Sequence, residues 1–150
     1  MKRSTPLSHG TPRLLPIALL LAAAPALGAE GYDLSFTGDG TFNTPHGNQA
    51  IQVAVYDVAA GEVVATQSGT VAQLEDPAFS FTFEGILEKG KLYDVHYWID
   101  SNFGRGSEGS CDPVNVDHQW RYALTDIKKA VDIRVAHDPT RQAPVCTSFE

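Results

Sequence analysis

The chain has 150 residues, with 11 Lys and Arg against 18 Asp and Glu, a formal net charge of −7. Residues 1–28 carry Lys2, Arg3 and Arg13 and no acidic side chain, so residues 29–150 hold 8 basic and 18 acidic groups, net −10. Such a surface repels a phosphate backbone and attracts cations, which argues against nucleic acid as a partner.

After the charged start, an apolar run from Leu14 to Leu27 leads to Ala26, Leu27 and Gly28, a small-x-small triplet. Charged start, apolar middle and small-residue exit are the parts of a secretory signal peptide, here 1–28 with cleavage after Gly28. A membrane-spanning helix needs roughly 20 apolar residues, more than this run offers, and Pro16 and Pro25 interrupt it. The expected product is periplasmic or secreted, has no membrane span once cleaved, and forms one domain over 29–150.

Beyond Gly28, short stretches alternate apolar and polar residues with period two, which predicts strands rather than helices. Tyr32, Leu34 and Phe36 form the first, and Ile51, Val53 and Val55 the second. Weaker strands are expected over Glu62–Gln67 and Thr70–Leu74. Strong ones follow at Phe79, Phe81 and Phe83, and at Tyr93, Val95, Tyr97 and Ile99. Trp120, Tyr122 and Leu124 make the next, and Val131, Ile133 and Val135 the last. Ala60-Gly61, Ser68-Gly69 and Lys89-Gly90 read as hairpin turns, and Asp76-Pro77 as a break. Seven to eight short strands with one apolar face each predict an all-β fold, a two-sheet antiparallel β-sandwich of transthyretin or Ig type.

Between the strongest strand and the next lies a Gly-, Ser- and Asp-rich loop, Ser101–Asp117. Loops this long in small domains are functional or disordered. Cys111 sits in this one, and Cys146 in the proline-bearing tail is the other cysteine. Two cysteines in an exported chain are expected to pair. Closing a loop of about 35 residues would stabilise the fold by roughly 4 kcal/mol on the chain-entropy account.

The strand series Tyr32–Phe36, Val53–Asp57, Phe79–Gly85 and Tyr93–Asp100, followed by Asn102, Gly104 and Asp117–Arg121, resembles a known group. It resembles small secreted bacterial β-sandwich proteins of the transthyretin-like (prealbumin-like) type, over residues 32–137. In those, a strand runs into an Asp-x-Asn-x-Asn-Gly loop followed by an aromatic or Leu and an Asp, and the resemblance implies calcium in that loop. Here Gly104 stands at the second Asn, Arg105 at the Gly, and Cys111-Asp112 at the closing pair.

Three candidate sites emerge. The first is the loop set Asp100, Asn102, Glu108, Asp112 and Asp117, whose hard oxygens suit calcium, the first cofactor expected. Asp100 and Asn102 open it with EF-hand spacing, but no Glu stands at the twelfth position. The plain alternative is a solvated loop held by the disulfide. The second is His96, His118 and His137, an alternative set for copper or zinc. His118 and His137 fall in phase with core-facing residues at strand ends, whereas His46 lies in a Thr-Pro-His-Gly turn. Scattered, ordinarily hydrogen-bonded histidines are the plain alternative. The third is the outward stripe of Asp94, His96 and Trp98, which would meet a protein partner if Trp98 were exposed, or lie under a loop if not.

No nucleophile elbow, phosphate loop or dinucleotide fingerprint occurs. Residues 29–150 contain no methionine, which disfavours blue copper. The function expected is therefore an exported, non-enzymatic binding or assembly module, calcium-stabilised after Asp100. The alternative is a periplasmic transition-metal protein.

Overall fold

The computed structural model describes residues 31–150; the signal peptide expected over 1–28 lies outside the described residues. Seven strands form: β1 (Tyr32–Gly38), β2 (Ala50–Asp57), β3 (Glu62–Thr70), β4 (Phe79–Leu87), β5 (Tyr93–Ile99), β6 (His118–Leu124) and β7 (Val131–Val135). One sheet has the order β4-β1-β7 and the other β3-β2-β5-β6. All pairs are antiparallel except β1 and β7, which run parallel.

The alternation read in the sequence places the core. Leu34 and Phe36 of β1, Val53 and Val55 of β2, and Val95 and Ile99 of β5 are fully buried. Phe36 in one sheet meets Tyr97 in the other at 5.0 Å between ring centroids, so the two sheets pack face to face as a sandwich. Two turn expectations come out differently. Ser68-Gly69 is no hairpin: β3 runs unbroken to Thr70, and Thr70–Leu74 adds no separate strand. At Gly69 the Phe81 ring packs so close that an added Cβ would lie 3.1 Å from it, so this glycine makes room rather than a turn. Lys89-Gly90 joins β4 in one sheet to β5 in the other, an arch rather than a hairpin. At Ala60-Gly61 the hairpin between β2 and β3 forms as expected, with Gly61 at a φ of 71° and Asp57 Oδ1 accepting from the Ala59 and Ala60 amides.

Cys111 and Cys146 are disulfide-bonded across 35 residues of chain. The bond holds the C-terminal tail against the outer face of β5. Between β1 and β2 the chain makes a 3-10 turn, Gly40–Phe42, and a one-turn helix, α1 (Asn43–His46). Among the described residues no helix is long and apolar enough to cross a membrane.

Candidate metal centre

Three separate segments deliver a histidine to one end of the sandwich: His46 ends α1, His118 begins β6, and His137 follows β7. Local chemistry fixes each. Asp39 caps the turn before α1 through the Thr41 amide at 3.0 Å. Phe42, buried in that turn, packs on Phe79 at 5.0 Å and Trp120 at 5.8 Å. The Asn43 side chain donates to the Ala72 carbonyl at 2.7 Å, tying α1 to the segment after β3. The His137 amide donates to Thr41 Oγ1 at 2.8 Å, drawing the end of β7 onto the same turn.

The imidazole nitrogens converge. His118 Nδ1 lies 2.9 Å from His46 Nε2 and 3.4 Å from His137 Nε2. One nitrogen from each ring falls within 4.8 Å of the other two. On the far side of the His46 ring, Nδ1 is 2.7 Å from Gln49 Oε1. That oxygen accepts, so the His46 proton sits on Nδ1 and Nε2 turns a lone pair toward the other rings. A tetrahedral zinc with Zn–N bonds of about 2.0–2.1 Å separates its nitrogens by about 3.3 Å. The two short separations here bracket that value.

Aromatic rings enclose the cluster. Trp120 meets all three imidazoles edge-on, and Phe103 lies 4.9 Å from His118 and 6.0 Å from His46. His46 is fully buried, whereas His118 and His137 are half-buried and give the site its access to solvent. Burial disfavours the charged form, and it is the main cause lowering all three pKa values. His46 falls from 6.5 to about 4; the Gln49 hydrogen bond opposes this and the other two histidines add to it. The rings therefore stand neutral at pH 7, the form a metal requires.

The loop Ser101–Asp117 lies directly behind His118, and its oxygens are largely engaged. Asp117, fully buried, accepts from the Ser101 amide at 2.9 Å, the Asn102 amide at 3.0 Å and the Asp112 amide at 2.9 Å. Asp100 accepts from the Gly109 amide at 2.7 Å and from the Asn102 side chain, and Asp112 accepts from the Ser107 amide. Glu108 is exposed. Asn102 Oδ1 is buried without a hydrogen-bond partner among the described residues.

His96 stands apart from the other two histidines with which the sequence grouped it. It lies on the outer face of β5, its ring stacked on Tyr56 at 5.0 Å and its Nδ1 2.6 Å from Ser148 Oγ. Asp94 is 3.8 Å from its other nitrogen and 3.7 Å from Arg121. Trp98 is 2 % exposed, covered by the tail, with Phe149 edge-on at 6.2 Å. The stripe is thus shielded by residues 146–149, which the disulfide anchors. His46 takes the place beside His118 and His137. Its Thr-Pro-His-Gly turn was visible in the sequence, but nothing local ties it to residues 72 and 91 positions away.

No family model matches the chain, and no curated protein matches it. Among solved structures it is similar to a fimbrial assembly protein from Parabacteroides distasonis, with 13 % identity and a TM-score of 0.36. The match covers 70 % of this chain and 51 % of that one, so the chain spans about half of the neighbour's length. A likeness at that level carries no argument about function. The finer transthyretin-like resemblance read in the sequence has no counterpart in these comparisons; a β-rich fold is the common ground.

Proposed function

We propose that this protein is an exported, non-enzymatic transition-metal-binding module that takes Zn²⁺ or Cu²⁺ on His46, His118 and His137. One observation carries the reading: three imidazole nitrogens from distant segments face one another, and His46 donates its Nδ1 proton to Gln49 Oε1 on the far side. Imidazole suits zinc and copper, and three such ligands leave a further position for water or another donor. A Gln or carbonyl partner on the far nitrogen is how protein sites orient a ligating histidine. The disulfide supports an oxidising compartment.

A second reading keeps calcium in the loop after Asp100. Its support is Asn102 Oδ1, buried and unpartnered, close to Asp112 around Gly106, where an added Cβ would collide with both. Against it stand the backbone amides that already occupy Asp100, Asp112 and Asp117.

Thermal unfolding of the disulfide-intact protein in chelator, then with zinc, copper or calcium, separates the two. A metal present at about 100 times its dissociation constant stabilises the folded state by roughly 2.7 kcal/mol. A rise with zinc or copper that His118→Ala removes is the expected result. A rise with calcium alone, removed by Asp100→Ala, would move the site to the loop. No shift with any metal would sink both readings.

A further inference from the structure

The two sheets leave one long side of the sandwich open. β6 ends one sheet and β7 ends the other, and among the described residues no strand lies outside either. The sequence phase shows what this exposes. Tyr122 belongs to the core-facing series of β6, yet it is 40 % exposed, against 4 % for Trp120 and 3 % for Leu124. On β7, Val131 and Ile133 are likewise only partly covered. Between these edges runs a cleft of about 300 Å³, at the small end of ligand pockets.

Its walls have a particular chemistry. Tyr97 and Trp120 are stacked at 5.2 Å with planes 17° apart, and both line the cleft. Tyr97 is 4 % exposed, and its side chain forms part of the cleft wall. Arg141 lines the same cleft. Residues 31–150 contain four arginines, and three of them, Arg121, Arg134 and Arg141, line this cleft. That concentration lies on a chain that is acidic elsewhere. Arg134 pairs with Asp76 and Arg121 stands near Asp94, while Arg141 has no ion-pair partner among the described residues. The cleft's own carboxylate, Asp138, is turned onto Thr140, accepting from its amide at 2.9 Å and its hydroxyl at 2.6 Å.

We propose that the cleft between β6 and β7 is a second binding site, for a small planar organic anion. The ring of such a ligand lies against Tyr122 and the Trp120 edge. Its carboxylate or phosphate meets the Arg141 guanidinium and accepts from the Tyr97 hydroxyl. Guanidinium offers paired donors that match both anions, and its neighbours at Arg121 and Arg134 add favourable charge. The site is independent of the histidine cluster, although Trp120 forms a wall of both.

Calorimetric titration in chelator, with phenyl phosphate as the probe and benzyl alcohol as its uncharged counterpart, tests the proposal without any metal. Phenyl phosphate should bind saturably and benzyl alcohol should not. Arg141→Gln, at an exposed tail position, should weaken binding by about tenfold or more, as expected for losing a charged hydrogen-bond donor. Tyr97→Phe, which removes only the hydroxyl, should weaken it by about threefold to tenfold. Equal binding of the two probes would overturn the proposal. So would unchanged affinity in both variants, or no saturation with phenyl phosphate in the millimolar range.

Discussion

The histidine cluster and the acidic loop adjoin each other, and both contain residues that bind metals in other proteins. They differ in what their polar atoms face. In the loop, the carboxylates of Asp100, Asp112 and Asp117 face backbone amides of their own segment. In the cluster, the nitrogens of His46, His118 and His137 face each other, and the Nδ1–H of His46 is turned to Gln49 on the far side. Ligand-type residues that satisfy the backbone build structure; the same types turned toward one another leave a valence for something else. The loop is in this sense the scaffold of the cluster, because Asp117 organises it immediately before His118.

The most forceful test of that division is Asp117→Ala. It removes one fully buried carboxylate and strands three amides, those of Ser101, Asn102 and Asp112. Hydrogen bonds to charged groups contribute about 1.5–3 kcal/mol each, so a loss of at least about 3 kcal/mol is expected in urea unfolding. Asp100→Ala, at a half-buried position, should cost about 1 kcal/mol. If Asp100→Ala proves the more damaging, the loop is organised around Asp100 and not around Asp117.

Acid should act on the cluster. His46 has a folded pKa of about 4 against 6.5 when free, so the unfolded chain takes up the proton first as pH falls. Stability is then full above about pH 6.5 and is lost progressively toward pH 4, by on the order of 3 kcal/mol from His46 alone. His118 and His137, also lowered, add in the same direction. Urea midpoints measured at about pH 7.5 and 4.5 should differ, and His46→Gln should flatten the difference, because a neutral side chain has no proton to gain. An unchanged slope in that variant would assign the acid sensitivity to groups other than His46.

The sequence makes this division only half legible, for a physical reason. Period-two alternation marks most strands, because one face of each is buried on the same core; β3, which buries no residue fully, reads more weakly. Turn residues are less informative: Lys89-Gly90 permits a reversal but does not say which sheet the next strand joins. The cluster depends on contacts between positions 46, 118 and 137, and strand periodicity carries no information about which strand ends meet. His118 and His137 could be read as core-phased, and they do face inward. His46 is placed by Phe42 filling the end of the core, a packing event with no local signature. Trp98 illustrates the converse, since its outward phase is correct but the tail pinned by Cys146 covers it.

The smallest expected effect separates a built site from three histidines that happen to touch. Gln49 touches His46 on the side away from the other rings, so it can influence a metal only through the His46 proton. Gln49→Ala should weaken zinc binding by about tenfold, as for other partners of ligating histidines, while costing only about 1 kcal/mol of stability. Gln49→Glu should tighten it, because a carboxylate on Nδ1–H raises the basicity of Nε2. Opposite changes from the two variants in a competitive zinc titration would mean that the fold prepares His46 as a ligand. Equal affinities would mean that Gln49 serves only to satisfy a buried imidazole, and that the convergence of the three rings is packing.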